Sequence, residues 1–219
     1  MATINQLNRT NSLLNVFIAE IRDIKIQQDS LRFRRNLERI GEVAALEISK
    51  TLTYIPQIVT TPLGEASTFV LSEQPVIASI LRAGLPLHTG LLNYFDHAEN
   101  AFISAYRKHH KDGSFDIELG YMASPKLENK TVILCDPMLA SGSSIVLTYK
   151  ALLKLGTPKH LHIVSVIASV EGLEYAKRHL PLDTTLWIGA IDDELTAQSY
   201  IVPGLGDAGD LAFGSKDQS

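Results

Sequence analysis

The sequence predicts an α/β protein with a doubly wound, mainly parallel β-sheet flanked by helices. Five short apolar runs have the length and composition of buried strands, and helix-like segments separate several of them. These runs occupy residues 76–81, 101–106, 131–136, 161–168 and 185–191. Strands that alternate with helices favour a parallel sheet, in which ligands bind at the carboxyl ends of the strands.

Composition limits the class of protein. With 219 residues and 45% apolar content, residues 1–219 are expected to form a single domain. A net charge of −4 offers no basic excess for nucleic acid, and each apolar run is too short to span a bilayer. The single cysteine, Cys135, lies in an apolar strand, which favours a buried thiol in a reducing cytoplasm.

The first fifty residues predict an arm and a long helix. Residues 1–28 are polar and irregular, and we expect an N-terminal arm or edge strand that packs on the body. A helical pattern follows over residues 29–52, with Ser30 as its N-cap. Three arginines fall on one side of this helix: Arg32, Arg35 and Arg39. They form either a solvated face or a site for an anionic effector or another subunit.

Loops and turns connect the later elements. Residues 60–64 predict a turn, residues 85–95 a helix, and residues 185–191 the last strand. After Arg107, residues 108–127 carry charges and turn formers, which predicts a flexible loop or a small hairpin outside the sheet.

Residues 131–155 are the most informative stretch, because a buried strand leads through a loop of small residues into an amphipathic helix. The first N–H groups of a helix have no partner within the helix and attract phosphate. The loop lacks the lysine of a P-loop, so ATP hydrolysis is a poor interpretation. Asp136 ends the strand, and an ionised carboxylate accepts hydrogen bonds from sugar hydroxyls. Phosphate and hydroxyl recognition together indicate a ribose phosphate.

Charged residues follow the ends of three predicted strands. They are Arg82, Arg107 and Asp136. Because the carboxyl ends of parallel strands meet at one edge of the sheet, these residues are expected to converge on one active site.

A second glycine-rich stretch, residues 204–209, matches the G-x-G-x-x-G pattern of dinucleotide-binding proteins. Too few residues follow for the required helix, strand and acid, so no NAD site is expected. Apolar residues around the stretch predict an ordered loop that approaches a ligand closely. The acidic run 192–194 is expected to be solvated and Trp187 to be core, and the seven histidines are expected at the surface rather than on a metal.

Four motifs in this order carry a family resemblance. They are ILRAGL at 80–85, YR at 106–107, DPMLASGSS at 136–144 and YIVPGLGDAGD at 200–210. Together they resemble the uracil phosphoribosyltransferase family over most of the chain. The combination of the loop at 136–144 with the glycine-rich tail at 200–210 is highly specific for this family.

The resemblance implies a type I phosphoribosyltransferase fold, with a small hood built from residues 1–28 and the base-binding segment 195–219. It implies transfer of phosphoribose from 5-phosphoribosyl 1-diphosphate (PRPP) to N1 of uracil, which gives UMP and diphosphate in pyrimidine salvage. An oxocarbenium-like transition state would be stabilised by arginine and by Mg²⁺ on the diphosphate. A homodimer or homotetramer is expected, with GTP as a candidate effector and with neither nucleic acid nor membrane as a partner.

The resemblance also assigns the site residue by residue. The catalytic residues would be Arg82, Arg107, Asp136 and Asp207. Both arginines would bind the leaving diphosphate. Mg²⁺ would lie near Asp207, and the resemblance assigns no residue as its direct ligand. The PRPP-binding residues would be Arg82, Arg107, Asp136, Pro137, Met138, Leu139, Ala140, Ser141, Gly142, Ser143, Ser144 and Asp207. The uracil-binding residues would be Ile201, Gly206, Asp207 and Ala208.

Two loop positions depart from the commoner family pattern, which has threonine at 141 and glycine at 143. Ser141 keeps the hydroxyl. A left-handed backbone at Ser143 would cost roughly 1–2 kcal/mol, so we predict a right-handed helical backbone there. Two alternative functions stay open: phosphoribosyl transfer to another base, and a PRPP-fold regulator that senses nucleotides and binds RNA.

Overall fold

A computed structural model describes residues 2–109 and 115–215, with the backbone alone over 105–109 and 115–119. The twelve described strands are β1 (Thr3–Gln6), β2 (Tyr54–Thr61), β3 (Gly64–Leu71), β4 (Val76–Leu81), β5 (Glu99–His109), β6 (Phe115–Ala123), β7 (Thr131–Cys135), β8 (Met138–Leu139), β9 (His160–Ser169), β10 (Thr185–Asp192), β11 (Glu194–Leu195) and β12 (Ile201–Val202). The described α-helices are α1 (Leu13–Arg22), α2 (Ser30–Ser49), α3 (Leu85–Leu92), α4 (Ser143–Leu152), α5 (Val170–His179) and α6 (Ala208–Phe213). Single 3₁₀ turns occupy Leu7–Arg9 and Leu153–Leu155.

The central sheet has the order β1-β10-β9-β7-β4-β5-β6, and the short β8 also pairs with β9. All of these pairings are parallel except the one between β5 and β6. The five strands expected from apolar runs correspond to β4, β5, β7, β9 and β10, which confirms the predicted mainly parallel sheet.

The prediction for the segment after Arg107 is partly wrong. A hairpin does form, but its second strand, β6, extends the central sheet instead of lying outside it. The alternation of Phe115, Ile117 and Leu119 with polar residues is a strand pattern. β5 also offers an unpaired edge. Arg107 therefore lies within β5, opposite Ile117, rather than past its end. The predicted flexible loop falls on residues 110–114, outside the described residues.

The N-terminal arm contains the predicted edge strand, since β1 pairs in parallel with β10. Most of the remainder of the arm is helical rather than irregular, because it contains a 3₁₀ turn and the helix α1. Ser12 and Asn15 form a capping box at the start of α1, and the helix buries Leu14, Ile18 and Ile21 at three- and four-residue spacing.

The predicted cap of the long helix is also wrong by one position. Asp29, not Ser30, is the N-cap of α2, because its carboxylate accepts hydrogen bonds from the N–H groups of Leu31 and Arg32. Each arginine of the predicted face has a partner within the chain. Arg32 pairs with Glu20, Arg35 with Glu38, and Arg39 with Asn36.

Helices cover both faces of the sheet. One apolar core joins the sheet to α1, α2, α3 and α6, and a second core on the other side joins it to α4 and α5. The β2–β3 hairpin projects from this body with most of its residues exposed, and its tight connection confirms the predicted turn at 60–64.

Three expectations about polar residues and the chain end need correction. The last strand of the central sheet is followed by a further small hairpin, β11–β12. Asp192, at the start of the acidic run, is buried, as are His88 and His162. Trp187 and Cys135 lie in the core as predicted. Within the described chain, no helix has both the length and the apolar character needed to cross a bilayer.

Two glycines set the distance between α2 and α3. A Cβ atom added at Gly90 would overlap the carbonyl oxygen of Glu38, and one at Gly41 would overlap that of Leu87. The helices therefore touch backbone to backbone.

We expect Gly90→Ala to lower the free energy of unfolding by about 1–3 kcal/mol, which is the usual cost of overpacking. The strain opposes a gain in helix propensity of about 1 kcal/mol. Urea unfolding measures the difference. Thr89→Ala, at the exposed neighbouring position, is the control and should change stability by no more than about 0.5 kcal/mol. A Gly90→Ala variant as stable as this control would contradict the packing argument.

Candidate active site

The carboxyl ends of β4, β7 and β10 lie at one edge of the sheet, and the predicted site loops follow these strands. The loop after β7, residues 136–144, is held by β9. The carbonyl oxygen of Pro137 accepts hydrogen bonds from the N–H groups of Val166 and Ile167, both at 3.0 Å. The hydroxyls of Ser165 and Ser169 donate to the carbonyl oxygens of Asp136 and Ala140 at 2.7 and 2.6 Å. Side chains and N–H groups on the other side of the loop stay available to a ligand.

Asp136 is almost buried, with 9% of its surface exposed. Burial raises the pKa of its carboxyl group to about 7, and the negative charge of Asp207 adds to the rise. The Met138 N–H, 3.2 Å from Oδ1, acts in the opposite direction. A ligand that donates hydrogen bonds to this carboxylate would favour its ionised form.

Gly142 forms the entry to α4. Its φ of 77° lies in the left-handed region, and a Cβ atom there would come within 2.8 Å of the Gly172 carbonyl oxygen. Ser143 is the first residue of α4, which confirms the predicted right-handed backbone at that position. The N-cap, Gly142, has no side chain to cap this helix, although the Ser143 N–H donates to Ser141 Oγ at 3.4 Å. The following N–H groups of the first turn can therefore bind an anion.

The glycine-rich tail forms the opposite wall. After β12 the Val202–Pro203 peptide is cis, and Gly204 and Gly206 have φ values of 56° and 91°. Asp207 caps α6, because its Oδ1 accepts hydrogen bonds from the N–H groups of Gly209 and Asp210 at 2.8 and 3.1 Å. Both bonds use Oδ1, which leaves Oδ2 for a ligand.

Arg82 follows β4, and its side chain reaches the C-terminal segment. Its guanidinium donates to Asp210 Oδ1 and to the Gly214 carbonyl oxygen, both at 3.1 Å. The peptide bond between Leu81 and Arg82 is cis. The side chain of Arg107 lies outside the described part of β5.

One cavity brings the β7–α4 loop and the glycine-rich tail together. The predicted site residues that line it are Asp136, Met138, Ala140, Ser141, Gly142, Ser144, Ile201, Gly206, Asp207 and Ala208. Leu139 packs in the core, Pro137 contributes its carbonyl to β9, and the Ser143 hydroxyl accepts a hydrogen bond from Ser141.

The cavity is also lined by five residues that were not predicted from the sequence: Ala83, Ile145, Ser199, Tyr200 and Gly209. Ala83, Tyr200 and Gly209 lie within the motifs that carry the family resemblance, and Ile145 directly follows another of these motifs. Treating each whole motif and its next residue as part of the site would have included all four. Ser199 could not be assigned from the sequence, because it reaches the cavity through a left-handed backbone conformation (φ of 62°) that a serine rarely adopts.

Comparison with known sequences agrees with the geometry. A family model described as "Uracil phosphoribosyltransferase" matches residues 9–215. A uracil phosphoribosyltransferase from Porphyromonas gingivalis is 58% identical over 210 residues, which cover 96% of this chain and 97% of the relative. One from Pyrococcus furiosus is 38% identical and covers 90% of this chain and 84% of the relative.

Solved structures agree as well. The AQ2163 protein from Aquifex aeolicus superposes with a TM-score of 0.85 at 27% identity, over 97% of this chain and 98% of that one. A hypoxanthine phosphoribosyltransferase from Staphylococcus aureus shares the fold alone, with a TM-score of 0.51 at 14% identity over 85% of this chain and 84% of that one. The extent of the family match and the identity to the curated relatives show that this chain belongs to the uracil phosphoribosyltransferase family.

Proposed function

We propose that this protein transfers phosphoribose from PRPP to N1 of uracil, which yields UMP and diphosphate in pyrimidine salvage. One observation carries the proposal. The cavity is lined on one side by the loop 136–144 and on the other by the tail residues Ile201, Gly206, Asp207 and Ala208. A helix N-terminus that would bind phosphate, an acid that would bind hydroxyls and a backbone-rich wall that would bind a planar base thus line the same cavity.

The loop supplies the ribose phosphate side. Residues Ser141 to Ser144 would hold the 5′-phosphate through the N–H groups at the start of α4 and through their hydroxyls. Asp136 would accept hydrogen bonds from the ribose hydroxyls. Met138 and Ala140 also line the cavity there. Pro137 and Leu139 would act by fixing the loop rather than by touching the ligand.

The leaving group needs positive charge. Arg82 and Arg107 would bind the diphosphate, since guanidinium groups bind phosphate bidentately. This neutralises the charge that develops as the bond to C1 of ribose breaks and an oxocarbenium-like centre forms. Carboxylates suit Mg²⁺, and Asp136 and Asp207 both face the cavity. Asp207 Oδ2 would hold Mg²⁺ directly or through water, where the ion would withdraw charge from the diphosphate.

The tail would select the base. Uracil presents alternating donors and acceptors, which backbone groups of Ile201, Gly206 and Ala208 can match. A base with an amino group in place of a carbonyl would leave buried polar groups unpaired, and such a mismatch discriminates strongly.

The proposal extends to organisation. We take residues 1–219 as one domain that acts in the cytoplasm, where the buried thiol of Cys135 stays reduced. A homodimer or homotetramer is supported by the projecting β2–β3 hairpin, whose exposed apolar residues suit a second copy of the chain. The family resemblance adds GTP as a candidate effector.

The function is tested by incubating the protein with PRPP, Mg²⁺ and radiolabelled uracil, and by following UMP. We expect UMP from uracil and none of the corresponding nucleotides from hypoxanthine, adenine or orotate. Folded protein that makes no UMP would contradict the proposal, and turnover of another base would favour the alternative substrate. Salt-dependent RNA binding without turnover would favour the regulator. Repeating the assay with and without GTP tests the effector.

Asp136 generates a pH prediction. Its pKa is about 7 in the folded chain and 3.8 in an unperturbed carboxyl group, so between these values the folded state binds the extra proton. The contribution of this carboxyl group to the free energy of unfolding is therefore largest below pH 3.8 and is lost as the pH rises through about 7. We therefore expect Asp136→Asn to gain stability relative to the parent between pH 5 and pH 7.5, on the order of a few kcal/mol. Urea unfolding at both pH values measures it, and a constant difference would contradict the raised pKa.

The hairpin generates a prediction about assembly. Ile58 and Phe69 lie on one face of the hairpin and are 66% and 70% exposed. Ile58→Glu should shift the molar mass measured by light scattering toward the monomer, because a charge in an apolar interface is costly. Gln57→Glu places the same charge on the opposite face and should leave the mass unchanged. An Ile58→Glu variant with the parent's mass would exclude this face as the interface.

A further inference from the structure

The chain leaves the central sheet at Asp192 and enters the base-binding segment, and Gly204 of this segment returns to contact Asp192. The N–H of Gly204 donates to Asp192 Oδ2 at 2.9 Å. Beyond this closure, β11 and β12 pair through Glu194 with Val202 and Leu195 with Ile201. Residues 192–204 thus form a closed loop, and this hydrogen bond joins its two ends.

Arg22, the last residue of α1, bridges the two ends. Its Nη1 and Nη2 donate to Asp192 Oδ2 and Oδ1 at 2.8 and 2.7 Å, and Nη1 also donates to the Gly204 carbonyl oxygen at 2.9 Å. A planar guanidinium that binds a carboxylate with two parallel bonds fixes orientation as well as distance. Gly204 is therefore held through both its N–H and its carbonyl group.

This ion pair is shielded from water. The Asp192 side chain is 7% exposed and that of Arg22 is 22% exposed. Burial alone would raise the pKa of Asp192, but the hydrogen bonds from Arg22 and Gly204 outweigh it and lower the pKa. The carboxylate stays ionised, and removing its partner would leave a buried charge unpaired.

The Arg22 end of the bridge is rigid. α1 is anchored in the core by Leu14, Ile18 and Ile21. The backbone of Arg22 is held as well, because its carbonyl oxygen accepts a hydrogen bond from the buried Gln27 side chain at 3.1 Å. The guanidinium therefore projects from a fixed point.

The Gly204 end leads directly to the cavity. A Cβ atom at Gly204 would overlap the Ile201 carbonyl oxygen, so the turn is as tight as the chain allows. Leu205 follows with 4% exposure, and the next residues, Gly206 and Asp207, line the cavity. Any shift of Gly204 moves backbone groups on both sides of it.

We propose that Arg22 and Asp192 are positioning residues for the base, through which the N-terminal helix fixes where the backbone groups from Ile201 to Ala208 stand. Neither side chain lines the cavity, so they act through Gly204. This inference rests on the proposed function, because it assigns that segment to the base.

The test compares Arg22→Lys and Asp192→Asn with a matched control, Arg32→Lys. Arg32 also forms a two-bond pair, with Glu20 of α1 at 3.0 and 2.6 Å, and neither bond involves the base-binding segment. We expect both test variants to raise the KM for uracil about tenfold or more, since misplacement by about 1 Å can cost a hundredfold. The KM for PRPP should stay within about twofold, because the phosphate loop is held separately by β9. A loss of folded enzyme would lower the apparent kcat without moving the KM for uracil.

Amide hydrogen exchange supplies a readout that needs no activity. We expect faster exchange over residues 193–206 in Arg22→Lys than in Arg32→Lys, with equal exchange over residues 136–144. Unchanged exchange over 193–206, or equal shifts in both KM values, would overturn the inference. A parent protein that makes no UMP would overturn the proposed function instead, and the exchange comparison would still decide whether Arg22 positions the segment.

Discussion

The parallel pairing of β7 with β9 is the interaction on which the proposed phosphate side of the site depends. β9 extends past the end of β7, and its N–H groups and serine hydroxyls bind the carbonyl oxygens of the following loop. The loop is thereby fixed before any ligand arrives. A site whose dipoles are already in place avoids the cost of reorganising them during the reaction.

The proposed base side of the site is built differently. Its loop carries β11 and β12, each of two residues, and depends on side chains from distant parts of the chain. The ion pair between Arg22 and Asp192 spans 170 positions, and Arg34 donates to the Ala212 carbonyl oxygen from 178 positions away. One wall of the cavity thus follows from sheet topology, and the other from a few long-range polar contacts.

This difference explains how much the sequence could predict. Continuous apolar runs identified the central strands, because a strand buried on both faces has to be apolar throughout. The right-handed backbone at Ser143 was predicted correctly, since a serine disfavours the left-handed conformation. The base segment was found by its glycines, yet its support was missed. Asp192 was expected to be solvated, and no local pattern could show that Arg22 would bury it. The helix α1 and the place of β6 in the central sheet were missed for a related reason: tertiary contacts decide how such short segments fold and pair.

The contact of Arg82 with Asp210 and Gly214 joins the end of β4 to the C-terminal segment. Both bonds use Nη2, so if Arg82 binds the diphosphate through this nitrogen, the incoming anion competes with both acceptors. The pair is about 40% exposed on each side, so the exchange costs little. Loss of these two bonds nevertheless frees the C-terminal end of α6, the helix that Asp207 caps at its N-terminus. Occupancy of the leaving-group region and order in the base segment are then thermodynamically linked. By reciprocity, a bound base changes the affinity for the sugar diphosphate by the same factor.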